Sequence, residues 1–375
     1  MVNRPFAGAV ELAAALCYQP RMRVGIALIE TYSFTRHPVS LGIAGLAAAA
    51  RRLEDLGFDG IISSETAGHD PFFPLLIAAE HTTRVGLATG IAVCFPRSPM
   101  VVAQMAWDLQ RFSDGRFRLG LGTQVKGHNE RRYGTPWPTA PGPRTREYLL
   151  CLRAIFRTFQ DREHPTWFEG EHYKFTMLPP VFSPPPIAHP HVPLDLAAVN
   201  PYMSRLAGEL CDGVFAHPVC TARYLREVML PAVAAGARQA GRVPEQVNMI
   251  GAPIIVTGRN AVELAEERQL LKRRVAFYAS TRTYHPVFAV HGWQDLGLRL
   301  HAMSLEGRWK EMVALIPDEM AEEFATIGLV DEIGEKLAQR WGGLLSTMNL
   351  PTDFPLAEPE DERRVGNLID TLHRT

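Results

Sequence analysis

From Met22 the chain alternates short apolar runs with amphipathic stretches. "MRVGIAL" reads as a strand, and Ser40 to Leu56, rich in Ala and Leu and closed by Gly57, reads as a helix. "FDGIISSE" is the next strand, followed by a helix from Pro71 to Thr83. "VGLATGIAV", the helix "SPMVVAQMAWDLQRFSDG" and the strand "FRLGLG" come after it, then a helix from Arg144 to Phe159. "VPLDLAAV" and "GVFAHP" are strands separated by the helix "PYMSRLAGELCDG". A helix from Thr221 to Ala240 and the strand "VNMIGAPIIVTG" complete seven strand–helix steps. A long helix starts near Ala261, and "LLSTMNL" supplies an eighth strand.

These strands are apolar almost throughout, as expected for a parallel sheet covered on both faces. Regular alternation over this length predicts a (β/α)8 TIM barrel rather than a doubly wound sheet. No G-x-G-x-x-G follows the first strand, which weakens a Rossmann reading. Two long insertions interrupt the barrel. Residues 165–193 hold the hairpin-like "WFEGEHYKF" and a Pro-rich extended connector. Residues 281–326 carry aromatics with His285, His291 and His301, and their composition suggests folded lids.

Composition narrows the class. A hydrophobic content of 46%, a charged content of 21% and a net charge of −1 are those of a soluble protein with no overall pull toward nucleic acid or a membrane surface. The five cysteines, Cys17, Cys94, Cys151, Cys211 and Cys220, form no C-x-x-C pair; buried thiols in a cytoplasmic protein are expected. Residues 1–21 carry an early Arg and an apolar stretch, but Glu11 interrupts the run and Leu16 makes a poor cleavage site. They read as an extension ahead of a domain spanning 22–375.

In a TIM barrel the C-terminal ends of the strands form the reactive face. Those ends supply Ser63, Ser64, Glu65 and Thr66 after the second strand, and Thr89, Gly90 and Ile91 after the third. The fourth gives Thr123, Gln124, Lys126, His128 and Asn129; the fifth gives Val199 and Asn200, and the sixth His217. Glu65 fits a cap or an ion pair, and equally an acid–base role. Asn200 before Pro201 is an ordinary N-cap, and the same helix start could hold a phosphate. His217 has no second ligand at metal spacing and suits a structural or substrate-contact role better. No G-x-S-x-G, H-E-x-x-H or P-loop occurs, and no metal site can be assembled.

"AQMAWDLQRFSDGRFRLGLG" takes the reading further. With "GFDGIISSE", "LAAVNPYMSRLAGELCDGVFAHP" and "TWFEGEHYKF" in the expected order, the chain resembles the bacterial luciferase-like flavin and deazaflavin oxidoreductases. "SETAGHDPFFPLLIAAEHT" and "GTQVKGHNERRYG" suggest its coenzyme F420-dependent members. The resemblance implies a cytoplasmic, homodimeric enzyme that passes hydride between F420 and a small organic substrate, with FMN as the alternative cofactor and a monooxygenase as the alternative activity. A barrel that only binds its ligand is the rival from another class. A bulge with a non-proline cis peptide at Gly90–Ile91 is implied behind the cofactor ring. Thr123, Gln124, His128 and Asn129 correspond to the region at the ring edge and ribityl chain; Ala198, Val199 and Asn200 correspond to the phosphate loop. Glu65 is the candidate catalytic residue. Many relatives carry Asp-His where this chain has Glu65-Thr66, and sugar-phosphate dehydrogenases carry a Glu where this chain has Gln124-Val125. Sugar-phosphate chemistry is therefore not implied.

Alternation within "FRLGLG" sets one further expectation. Leu119 and Leu121 should face the helices and Gly120 and Gly122 the lumen, which would carry Gln124 inward beside Glu65.

Overall fold

The computed structural model describes residues 21–29, 43–65, 68–351 and 359–375. Residues 1–20 of the extension, and Thr66, lie outside them. Eight parallel strands close on themselves: β1 Arg23–Ile29, β2 Gly60–Ser63, β3 Gly86–Thr89, β4 Phe117–Gly122, β5 Leu194–Ala198, β6 Gly213–Ala216, β7 Asn248–Gly251 and β8 Thr347–Leu350. Each pairs with the next, and β8 returns to β1 through Arg23–Thr347 and Gly25–Asn349. This is the expected (β/α)8 barrel.

Helices α1 Ile43–Asp55, α2 Phe72–His81, α3 Pro99–Phe112, α4 Pro141–Gln160 and α5 Pro201–Leu210 follow the first five strands. The helix α6 Leu230–Gln239 is entered through a π turn at Leu225–Met229, where Pro231 withholds one N–H from the ladder. The outer layer is completed by α7 Ala261–Ala279, α8 Ile333–Trp341 and α9 Pro359–His373.

Strand parity is as the Leu/Gly pattern requires. Leu119, Leu121, Leu194, Leu196 and Val214 are sealed against the helices. Gly120 and Gly122 face the lumen, where a Cβ on Gly120 would stand 2.0 Å from the Thr89 carbonyl and one on Gly122 2.8 Å from the Ile91 side chain. The Thr89 hydroxyl donates to the Gly120 carbonyl at 2.7 Å, which draws β3 and β4 into this close approach.

The seventh strand departs from expectation. "VNMIGAPIIVTG" breaks after Gly251, because Pro253 has no N–H for a barrel ladder. Ile254–Gly258 leaves the barrel and pairs with Ala325–Leu329 instead. The first insertion contains the antiparallel hairpin Phe168–Glu169 with Lys174–Phe175. Its Pro-rich arm lies along α3, held by bonds from Trp107 Nε1 to the Pro185 carbonyl and from Gln110 Nε2 to the His191 carbonyl. The second insertion is helical, with segments His285–Val290, Gln294–Leu305, Trp309–Ala314 and Asp318–Phe324 packed around buried Phe288, Leu300, Met312 and Met320.

The four described cysteines are buried free thiols. Among the described residues no helix is long and apolar enough to cross a membrane.

Candidate active site

A cavity of about 100 Å³ lies at the N-terminal floor, lined by Arg23, Gly25, Arg118, Asp195, Phe215 and Asn349. The polar strand ends converge at the opposite, C-terminal mouth, and the chemistry is placed there.

The centre of the mouth is a bulge. After Thr89 the third strand leaves its ladder, the Gly90–Ile91 bond is cis, and the chain rejoins at Ala92–Val93 to pair with Leu121–Gly122. Both neighbours hold it. Gly90 N–H donates to the Ser63 carbonyl (2.8 Å), Glu65 N–H to the Ile91 carbonyl (3.2 Å), and Cys94 N–H to the Gly122 carbonyl (2.9 Å). A Cβ on Gly90 would lie 2.4 Å from Ile62 and 3.6 Å from the Phe215 ring, so only glycine fits this position.

Glu65 sits beside the bulge, 5% exposed. Its Oε2 accepts the Val93 N–H at 2.6 Å, and its Oε1 accepts the Tyr133 hydroxyl at 3.0 Å and the Arg97 guanidinium at 3.1 Å. Arg97 also reaches Asp70 at 3.1 Å. Burial opposes the Arg97 charge, but Glu65 and Asp70 outweigh it and raise Arg97 above its ordinary range. Burial, reinforced by the Glu65 charge, raises the Tyr133 phenol. Both carboxylate oxygens are thus committed, and one residue ties together the end of β2, the bulge and the two following loops. This geometry suits positioning better than proton exchange with a ligand. Arg97 and Tyr133 were not apparent from sequence.

The fourth strand ends at Gly122, and strand parity ends with it. Gln124 adopts φ 59°, and its Oε1 accepts the Val125 N–H at 3.0 Å, opening the short helix Lys126–Arg131. The expected inward-facing amide is therefore turned onto its own backbone, although Thr123 and Gln124 both remain half-exposed at the rim. Asn129 is fully buried; its Nδ2 donates to the carbonyls of Thr123 (2.8 Å) and Val125 (3.2 Å). It shapes the loop rather than presenting a surface. His128 is exposed, on the short helix that follows the rim.

Across the mouth, Ala198 is buried and Val199 and Asn200 are half-buried. Asn200 caps α5, its Oδ1 accepting the Met203 N–H at 2.9 Å, with Pro201 as the first helical residue. The Tyr224 hydroxyl donates to the Val199 carbonyl at 2.9 Å. The capping reading is realised, and the positive end of the helix still faces the rim.

His217 follows the sixth strand and packs between two tyrosines, tilted against Tyr284 with ring centres 4.6 Å apart and edge-to-face with Tyr278 at 5.3 Å. Both tyrosines come from the last helical turns of α7 and the second insertion, whose aromatic content was the only signal in the sequence. Glu147, Glu171 and His172 lie close enough to share a cation, but Glu147 already accepts the N–H groups of Glu171, His172 and Tyr173, fastening the hairpin to α4.

The family model for luciferase-like monooxygenases matches residues 22–346. The chain belongs to this family. It is 43% identical over 303 residues to an uncharacterised protein of Mycobacterium tuberculosis, a match covering 81% of this chain and 88% of that one. A putative coenzyme F420-dependent oxidoreductase of Mycobacterium tuberculosis is 30% identical over 311 residues, covering 79% and 86%. The solved structure of the coenzyme F420-dependent tetrahydromethanopterin reductase from Methanopyrus kandleri aligns over 93% of this chain and 97% of its own, with a TM-score of 0.72 and 18% identity. That likeness shows the luciferase-like barrel fold. The family's relatives thus include F420-dependent oxidoreductases.

Proposed function

We propose that this luciferase-like protein is an oxidoreductase that uses coenzyme F420 to exchange a hydride with a small organic substrate. The observation that carries the proposal is the mouth itself. A flat apolar shelf at Gly90–Ile91 stands between a polar rim at Thr123–Gln124 and a capped helix start at Asn200. A planar ring with one polar edge and a phosphate-bearing tail fits that donor set. The similarity to the putative F420-dependent oxidoreductase supports the cofactor choice.

The residues divide the work by position. Gly90 and Ile91 would back the ring, and Thr123 and Gln124 would meet its edge. His128 would lie along the tail, and Asn129 would hold the loop in shape. Ala198, Val199 and Asn200, with the α5 dipole, would receive the phosphate. Glu65 would fix the shelf against β2 through the Val93 N–H. When bound, a deazaflavin supplies hydride at its C5, while the protein orients the reactants and excludes water. The Pro-rich arm and the helical insertion would close the mouth over a substrate. Exposed Phe73, Leu76, Val101 and Phe112 on α2 and α3 would be covered in a homodimer, which light scattering checks.

FMN-dependent oxygenation is the second reading, favoured by the monooxygenases for which the family is named. Turnover separates them. Substrate reduction by reduced F420, unchanged on removing oxygen, supports the proposal. Oxygen-dependent product formation with reduced FMN alone overturns it.

A further inference from the structure

The first turn of α4 meets three loops at once. Arg144 lies there, half-buried, and spreads its guanidinium among them. Its Nη2 donates to the Phe95 carbonyl at 3.3 Å, its Nη1 to the Pro136 carbonyl at 3.2 Å and its Nε to the Tyr173 hydroxyl at 2.9 Å. The same group lies 4.5 Å from the centre of the Phe95 ring and 5.6 Å from that of Tyr173. All three acceptors are uncharged, so Arg144 contributes here the fixed fork of its donors rather than an ion pair.

Each acceptor belongs to a different part of the mouth. Phe95 comes just after Ala92–Val93, where the chain rejoins β4 beyond the bulge. Pro136 follows Thr135, whose N–H donates at 2.9 Å to the carbonyl of Asn129, the residue that shapes the rim loop. Tyr173 lies in the turn of the first-insertion hairpin, its ring edge-to-face on buried Tyr148 with centres 5.3 Å apart. Glu147, three residues further along α4, takes the N–H groups of Glu171, His172 and Tyr173. The hairpin is thus fixed to α4 by Glu147, and through Arg144 it reaches the segment that leaves the shelf.

We propose that Arg144 is a positioning residue that couples the first-insertion hairpin to the Gly90–Ile91 shelf. Docking of the hairpin sets the shelf, and a ring bound on the shelf holds the hairpin down, because coupling between two sites is reciprocal. The second half of this statement rests on the cofactor placement proposed above. The hairpin is then a working part of the cofactor site, although it lies in an insertion outside the barrel.

Two measurements test the coupling. The first needs no cofactor: amide hydrogen exchange of the free protein in wild type, Arg144→Met and Tyr173→Phe. In Arg144→Met the hairpin amides of Glu171, His172 and Tyr173 and the shelf amides of Val93 and Cys94 should exchange about tenfold faster. The strand Leu194–Ala198 should keep its wild-type rates. Tyr173→Phe removes one hydroxyl and should also speed Val93 and Cys94, although Arg144 stands between them. Wild-type rates at Val93 and Cys94 in Tyr173→Phe overturn the inference, whatever Arg144→Met does. A rise shared equally by Leu194–Ala198 reports only lost global stability and overturns it too.

The second adds F420. Saturating cofactor should slow exchange of the hairpin amides about tenfold in wild type and leave them unchanged in Tyr173→Phe. Arg144→Lys keeps the charge without the fork, so its F420 affinity should fall about tenfold, as in Arg144→Met. Bound F420 that leaves hairpin exchange unchanged in wild type, or wild-type affinity in Arg144→Lys, overturns the inference. Wild-type protein that binds no F420 overturns the functional reading, and exchange in the free protein then decides the coupling alone.

Discussion

Replacing Glu65 distinguishes a residue that holds the shelf from one that exchanges protons. In Glu65→Ala the Val93 N–H, which is fully buried, loses its acceptor, at a cost of about 1–3 kcal/mol. Arg97 loses one carboxylate but keeps Asp70, so the full penalty for a stranded buried charge is not reached. The sum is about 3 kcal/mol. For 375 residues the unfolding entropy is about 0.8 kcal/mol per kelvin, so Tm should fall by about 4 °C. In Glu65→Gln the amide oxygen still accepts from Val93 and its NH2 group can donate to the Tyr133 oxygen. Only the Arg97 pairing is lost, about 1 kcal/mol, with F420 affinity within about threefold of wild type and turnover within about tenfold. Thermal melts, fluorescence titration and kcat are measured on both variants. The reasoning fails if Glu65→Gln abolishes turnover while Tm and affinity stay at wild-type values, because a group that only positions cannot behave so.

Three further outcomes follow from the geometry. Asp212 is paired with Arg153 and His191 and accepts the Leu194 N–H; burial works against its charge, but these partners hold the carboxyl well below its usual range. A depressed carboxyl stabilises above its unfolded value of about 3.9 and loses that contribution as pH falls toward the folded value. Asp212→Asn should therefore cost about 3 kcal/mol at neutral pH, with the difference from wild type shrinking below about pH 4 in urea melts; a constant difference down to strong acid would refute this. Gly120→Ala drives a Cβ into the Thr89 carbonyl and should cost about 3 kcal/mol by parting β3 and β4, whereas an unchanged Tm would place Gly120 off the lumen face. Gln124→Gly keeps the left-handed backbone and removes the amide, so an affinity drop of about tenfold marks a side-chain contact with the cofactor and an unchanged value restricts Gln124 to capping Val125.

The barrel was legible because parity and burial agree along "FRLGLG": leucines seal against helices and glycines admit the neighbouring strand. The break after Gly251 could have been read from Pro253, but unbroken apolarity through "GAPIIVTG" masked it. Parity failed at Gln124 because a strand rule says nothing once φ turns positive and a side chain caps its own backbone. The resemblance implied the cis bond at Gly90–Ile91; nothing in local propensity marks it. The partners of Glu65 and His217 were not legible at all. Tyr133 is 68 residues from Glu65 and Tyr284 is 67 from His217. Only closure of the barrel and folding of the insertion bring each pair together.

Fluorescence titration of the purified chain with F420 and, separately, with FMN tests the central claim most directly. The account predicts saturable binding of F420, one per chain, weakened when α5 loses its cap in Asn200→Ala, and no comparable binding of FMN. Tight FMN binding with no response to F420 would contradict it.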